Sequence, residues 1–127
     1  MLSIRAEQFA ALAAATRIRF IDSMLPHVAR FHPGQFTKLG QSGTREAIGA
    51  AIDCAARYRI TIERDVAIFI DLWFALGADF DASPSLPWAA ATLNEQRLTP
   101  TARVGRLFEH TLQYLQLRDA EKAARGE

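Results

Sequence analysis

Two acidic residues in one short segment are the first candidates for chemistry in this sequence. Asp79 and Asp81 lie in GADFDASPSLPW, which its glycine and prolines mark as a loop. Paired carboxylates can bind a hard cation or divide acid and base roles. A calcium loop, however, needs more oxygen ligands and a later glutamate, which DFDASPS lacks. We therefore expect both residues to shape the turn or cap a helix, with contact to a partner protein as the second interpretation.

The histidines and the cysteine show no spacing typical of a metal site or an activated nucleophile. His27, His32 and His110 form no i, i+4 pair, and Cys54 lies on a different segment from all three. We predict no metal and no cofactor, and we interpret Cys54 as a small buried hydrophobic residue. With one cysteine, this sequence cannot form an internal disulfide.

Phosphate-binding and hydrolase motifs are also missing. The glycines at positions 34, 40, 43 and 49 fit neither the Walker nor the dinucleotide-binding spacing, and there is no Gly-x-Ser-x-Gly elbow. Nothing in the sequence indicates an enzyme, and we predict a non-enzymatic protein.

A short turn between two predicted helices raises the alternative of a helix-turn-helix DNA-binding regulator. The segment is ARYRITIERDVAIF, whose second helix would enter the major groove. That helix offers Phe69, Ile70 and Trp73 where polar side chains should meet base edges. The net charge of +1 provides no general attraction to phosphates, so we predict no nucleic-acid partner and keep the regulator as the alternative.

Aromatic residues in predicted loops are the remaining candidates for function. They are Phe36, Phe80 and Trp88. Some should fold back into the core, and any that stay exposed would anchor a partner protein, because aromatic side chains often dominate interface energies.

Size and composition predict one globular domain over residues 1–127. The chain has 127 residues, of which 50% are hydrophobic and 23% charged, so it can form a single core. MLSIRAEQF carries charges before any long apolar run, and no small-residue cleavage site follows it. We expect a cytoplasmic location.

The segment RDVAIFIDLWFALGADFD predicts a buried central helix over about Ile62 to Leu76. Thr61 would be its N-cap, and Gly77 would provide the left-handed residue at its end. Apolar residues cover most of its circumference, but the run is shorter than the roughly 20 residues of a membrane span. The narrow remaining strip, with Arg64, Ile68 and Asp71, is a second candidate partner surface.

Four other helices are predicted around it. The first begins after the cap Ser3 and contains Pro26, the loop FHPGQFTKLGQSG follows, and a helix spans about Thr44 to Tyr58. A short helix starts at Pro87, and a last one begins with the cap Thr99 followed by Pro100. The last helix should place His110 on its polar side and should fray over residues 118–127. Its predicted core-facing stripe is Val104, Leu107, Phe108, Thr111, Leu112 and Leu115.

The run from Ala56 to Trp88 resembles a group of small bacterial proteins encoded beside type VI secretion genes and their toxins. That group shares a Tyr, an ERDV helix start, a Gly-x-Asp-Phe-Asp turn and a Pro-Trp pair. The matching residues here are Tyr58, Glu63, Arg64, Asp65, Val66, Gly77, Asp79, Phe80, Asp81, Pro87 and Trp88. The resemblance covers about a quarter of the chain closely. It implies an accessory role: holding or loading a secreted toxin as an adaptor or chaperone, or neutralising one as an immunity protein.

Together these observations predict an all-α, single-domain, protein-binding module of about five helices. The interface would combine the two long loops with the adjoining helix ends, and Asp79 and Asp81 would fix the loop or pair with basic residues of the partner. The partner would be another protein, with no membrane contact. A homodimer would also fit the sequence.

Overall fold

The computed structural model of this chain describes residues 6–126, and the side chains from residue 13 onward. Within this range the chain forms five α-helices, one short 3-10 helix and no β-strand, which confirms the predicted all-α class. The predicted cap Ser3 lies outside the described residues. The helices are α1 (Ala6–Phe31), α2 (Pro33–Arg57), α3 (Glu63–Leu76), α4 (Pro87–Leu93) and α5 (Pro100–Ala124), and the 3-10 helix is Phe80–Ala82.

The chain divides into two compact units, residues 1–49 and residues 50–127. In the first unit, Arg17 donates from Nη2 to the carbonyl oxygen of Gly49 at 3.2 Å. Arg45 also pairs with the carboxylate of Asp22. Both contacts join α1 to α2 within this unit. That residues 1–127 form one domain stays a prediction.

The segment FHPGQFTKLGQSG is helical, so the predicted first loop was wrong. α1 continues through Pro26 to Phe31, and α2 starts at Pro33 after one non-helical residue. Proline suits a first helical position, because its missing N–H is one of those that a helix start leaves unpaired. Within α2, Gly40 leaves helical geometry and kinks the helix, with φ 72° and ψ 177°, a conformation essentially limited to glycine.

α3 is buried as predicted, but its start differs from the prediction. Half of its 14 residues are buried, including Phe69, Ile70 and Trp73. Ile62 occupies the N-cap position, and no side chain caps the helix, so the prediction for Thr61 was wrong. The helix begins one residue later than expected, which places Thr61 before the cap position. Gly77 ends α3 as predicted, with a positive φ of 106° and its N–H bonded to the carbonyl oxygen of Trp73, but its ψ of 156° lies outside the left-handed helical region.

In the second unit, α3 and α4 both pack against α5, and α4 also packs against the 3-10 helix. The predicted stripe of α5 is buried at Val104, Leu107 and Thr111. Phe108 and Leu112, however, are 42% and 46% exposed, so the prediction for these two was wrong. A helix contact follows a narrow line of side chains, and residues one position further round the helix stay outside it.

Both ends of the predicted last helix can be compared with α5. Thr99 caps it, with Oγ1 accepting the N–H of Ala102 at 3.1 Å, and Pro100 is the first helical residue, as predicted. Pro87 begins α4, also as predicted. At the other end α5 continues to Ala124, through residues for which we predicted fraying, and the side chains from 116 to 126 are exposed.

The two threonines provide a test of where the helices are capped. Thr99→Ala should lower the free energy of unfolding by about 1 kcal/mol, because it removes an N-cap acceptor. Thr61→Ala is the matched control and should change it by less than about 0.5 kcal/mol, because Thr61 is exposed and caps no helix. Urea denaturation measures both. Equal losses in the two variants would contradict the observed start of α3.

Candidate functional site

Phe80 is a core residue and not an exposed partner anchor. It is 1% exposed, and its ring centroid lies 5.2 Å from that of Phe69 and 6.3 Å from that of Trp73. The 3-10 helix turns the chain back toward α3, so an aromatic residue that the sequence places in a loop is buried. The prediction that Phe80 binds a partner was therefore wrong.

Asp81, the next residue, is buried and holds the loop to the end of α2. Its Oδ2 accepts a hydrogen bond from the hydroxyl of Tyr58 at 2.5 Å, and the residue is 8% exposed. Its Oδ1 accepts no hydrogen bond within the part of the chain described. Of the two roles predicted for Asp81, the geometry matches fixing the loop, because this carboxylate is not accessible to a partner.

Cys54 lies beside this pair and is chemically quiet. Burial raises the pKa of its thiol from 9.0 to about 11, the nearby Arg57 opposes the shift, and the charge of Asp81 adds to it. The pKa of the Tyr58 hydroxyl is also raised, first by burial and then by its bond to Asp81. A thiol with a raised pKa is protonated near neutral pH and is a poor nucleophile. Cys54 is buried, as predicted.

The raised pKa of Cys54 gives a direct prediction of reactivity. At pH 8, iodoacetamide should alkylate Cys54 in the folded protein at least tenfold more slowly than in the urea-unfolded chain, because both burial and protonation suppress the thiolate. Ser85→Cys in a Cys54→Ala background places a thiol at an exposed loop position and should react at the unfolded rate. Mass spectrometry measures the alkylation. Rapid alkylation of the folded wild-type protein would contradict the burial of Cys54 beside Tyr58 and Asp81.

The other predicted partner residues of this unit stay nearer the surface. Asp79 is exposed and adopts a left-handed conformation with φ 58°, where its backbone carbonyl accepts the N–H of Ala82. Arg64 has 76% of its side chain exposed and lies 3.9 Å from the carboxylate of Asp65. Ile68 and Asp71 are half-buried. In the first unit, Phe36 is half-buried on α2. Phe36 lies in a helix, so the predicted contribution of a first loop to the interface is corrected.

Trp88 is the predicted anchor that does line a surface groove. It is half-buried on α4, and its ring lies 5.7 Å from that of His110 and 5.8 Å from that of Tyr114, centroid to centroid. These residues, with Gln113 and Leu117, line a mostly apolar groove of about 280 Å³. We call it the Trp88 groove. His110 itself is exposed on α5, as predicted.

The exposed part of α5 carries more apolar surface than a solvated helix needs. Leu117, at the groove, is 66% exposed. Phe108 and Leu112 are also exposed, but at 3.6 residues per turn they lie on the opposite side of α5 from the residues that line the groove. A single exposed apolar residue is ordinary, but Leu117 borders an aromatic groove, and an exposed apolar side chain in that setting is typical of an interaction surface.

Sequence reasoning missed Arg103, which is the one buried arginine among the described residues. Its Nε donates to the carbonyl oxygen of Glu95 at 2.9 Å, and its Nη1 donates to that of Tyr58 at 3.3 Å. A signal was present, because Arg103, Leu107 and Thr111 follow the i, i+4, i+8 spacing of one buried helix face. Tyr114 and Leu117 were missed because only α4 reveals what they face.

Comparison with known proteins does not extend these observations. Family models, curated proteins and solved structures were compared with the chain, and none of the three comparisons found a match. Among the described side chains, no group of three or more His, Cys, Asp or Glu could hold a metal ion. None of the described helices combines the length and the apolar character that a membrane span requires.

Proposed function

We propose that this protein is a non-enzymatic protein-binding module of the bacterial cytoplasm, and that the Trp88 groove is its main contact surface. The observation that carries the proposal is a half-buried tryptophan at the edge of an apolar groove, beside the exposed Leu117 of α5. The chemically quiet state of Cys54 is consistent with a role that involves no catalysis.

The groove suits a partner that inserts an apolar or aromatic side chain. Trp88 and Tyr114 offer large, rigid faces, and such residues often contribute most of the energy of an interface. Leu117 would lose most of its exposed apolar surface on binding, at about 25 cal/mol per Å² removed from water. Recognition would therefore be steric, with the partner held by burial rather than by a chemical step.

The resemblance of residues 56–88 to proteins of type VI secretion loci suggests the kind of partner. We propose that it is a secreted toxin or a component of the secretion apparatus, which the protein would hold, load or neutralise. The resemblance does not distinguish among an adaptor, a chaperone and an immunity protein. Both Trp88 and Pro87, the first residue of α4, belong to the resembling segment.

Co-purification with the products of adjacent genes, followed by calorimetric titration, tests the proposal. Leu117→Lys should weaken the complex at least tenfold and should leave folding intact, because the side chain is 66% exposed. Trp88→Ala should weaken it similarly. Ile62→Lys is the matched control, since Ile62 is 56% exposed but precedes α3, and it should leave affinity unchanged.

Two results would contradict the proposed groove. One is a complex unaffected by both groove variants, and the other is an equal loss in the Ile62 control. Sedimentation velocity of the protein alone tests the homodimer. Self-association abolished by Leu117→Lys would assign the groove to a second copy of this chain.

A gel-shift assay at moderate salt distinguishes the DNA-binding alternative from the protein-binding function. Its reading helix would be α3, in which Phe69, Ile70 and Trp73 are buried. Those side chains cannot reach base edges unless α3 leaves the core. A salt-sensitive shift with duplex DNA would nevertheless revive the alternative.

A further inference from the structure

A second pocket, of about 430 Å³, is lined by three arginines and lies within residues 50–127. The arginines are Arg57, Arg59 and Arg103, and the amides Asn94 and Gln96 add polar groups to the lining. None of the three guanidinium groups forms an ion pair with a carboxylate in the part of the chain described. Arg57 is within electrostatic reach of the Asp81 carboxylate, so the unbalanced positive charge of the lining comes mainly from Arg59 and Arg103, in a chain whose net charge is only +1.

The buried member of this set, Arg103, lacks a counter-charge. It is 7% exposed, and its guanidinium group donates hydrogen bonds to two uncharged carbonyl oxygens, of Glu95 and Tyr58. The carboxylate of Glu95 is bound by Arg97 through two hydrogen bonds, of 3.1 and 3.3 Å. Buried charges in proteins are normally paired, because removing an ion from water is unfavourable. A bound anion would supply the missing charge.

Arg59 reaches the pocket from a backbone conformation that disfavours arginine. The N–H of Ile60 bonds to the carbonyl of Ala55, and the N–H of Arg59 bonds to that of Ala56, the Schellman pattern that ends α2. Arg59 occupies the left-handed position of this motif, with φ 63°, where glycine is the preferred residue. The motif that ends α2 accounts for this conformation, and glycine is therefore the replacement that removes the guanidinium group without backbone strain.

We propose that this arginine pocket binds a small molecule carrying a phosphate group. Guanidinium groups bind phosphate oxygens through forked, charge-assisted hydrogen bonds. A cluster of arginines suits a phosphate, which carries close to two negative charges at neutral pH, better than a single carboxylate. Leu93 and Pro100 supply an apolar wall for the remainder of the ligand. The proposal is independent of the Trp88 groove, because the two pockets share no lining residue.

Calorimetric titration with inorganic phosphate and with glycerol phosphate, at constant ionic strength, tests this site. We expect saturable binding of one equivalent. Tighter binding of glycerol phosphate would assign the site to phosphate esters, and equal affinities would assign it to free phosphate. No saturable binding of either probe would overturn the proposal.

Variants distinguish the pocket from general charge attraction. Arg59→Gly should weaken phosphate binding at least tenfold while keeping or raising the melting temperature, because glycine fits the left-handed position. Arg106→Gln removes one charge from an exposed position of α5 outside the pocket and should bind as wild type. Wild-type affinity in Arg59→Gly, or an equal loss in Arg106→Gln, would overturn the proposal. Duplex DNA that binds through Arg59 while both small probes fail would overturn it in favour of a nucleic-acid ligand.

Discussion

Replacing Phe80 with alanine is expected to lower the free energy of unfolding by about 3 to 5 kcal/mol, because it opens a cavity in the aromatic cluster with Phe69 and Trp73. A loss of this size would be a large part of the stability of a domain of this length. Urea denaturation followed by tryptophan fluorescence measures it, with Trp73 as a reporter inside the cluster.

Phe108→Ala is the matched control for this measurement. The same atoms are removed from a side chain that is 42% exposed, so the loss should stay below about 1 kcal/mol. If Phe80 were instead an exposed anchor, its replacement would leave stability unchanged and reduce only partner binding. Similar small losses in the two variants would therefore contradict the packing of the 3-10 helix against α3.

The second large effect is expected from the hydrogen bond between Tyr58 and Asp81. Tyr58→Phe should lower the free energy of unfolding by about 2 kcal/mol, because hydrogen bonds to charged groups contribute about 1.5 to 3 kcal/mol. The variant leaves the buried Asp81 carboxylate without its hydroxyl donor, and Oδ1 already has no hydrogen bond in the described part of the chain. Asp81→Ala, which removes the acceptor, and the double variant complete a cycle that isolates the pair. Additive losses in that cycle would show that the two residues do not interact.

The same pair predicts how stability depends on pH. Burial and the Asp81 carboxylate raise the pKa of Tyr58 above 10.0, whereas an unfolded tyrosine ionises near its ordinary pKa. Above about pH 10 the folded state therefore holds more protons than the unfolded state, and the unfolding free energy falls as pH rises. This contribution is complete below pH 10. The decline in unfolding free energy above pH 10 should be absent from Tyr58→Phe. The comparison is made in a Cys54→Ala background, because the raised pKa of the Cys54 thiol would itself lower the unfolding free energy between pH 9.0 and about 11.

Helix type and several helix ends could be predicted because they depend on neighbours in sequence. Backbone geometry, or a hydrogen bond spanning at most four residues, explains the helix ends at Thr99 and Pro100, at Pro87 and at Gly77. The failures at Thr61 and at residues 32–43 have the same local origin. At Thr61 the helix starts one residue later than predicted, and at Pro33 the proline begins a helix instead of interrupting one.

The roles of the candidate site residues were less predictable, because exposure is set by what packs on each side chain. Phe80 and Trp88 look alike in sequence, as aromatic residues near prolines, yet one is fully buried and the other borders a groove. Phe108 and Leu107 are adjacent on α5, and only the position of α3 and α4 leaves Phe108 outside. No local pattern contains that information.

Sequence alone therefore determined an all-α chain with a buried, apolar α3, since hydrophobic periodicity, caps and breakers act within a few residues. Tertiary structure decided which residues can work: it buried Asp81 against Tyr58, left Trp88 beside α5, and gathered three arginines around one pocket. Arg57 and Arg103 are 46 positions apart, and the distance between such residues depends on helix packing rather than on any pattern of sequence.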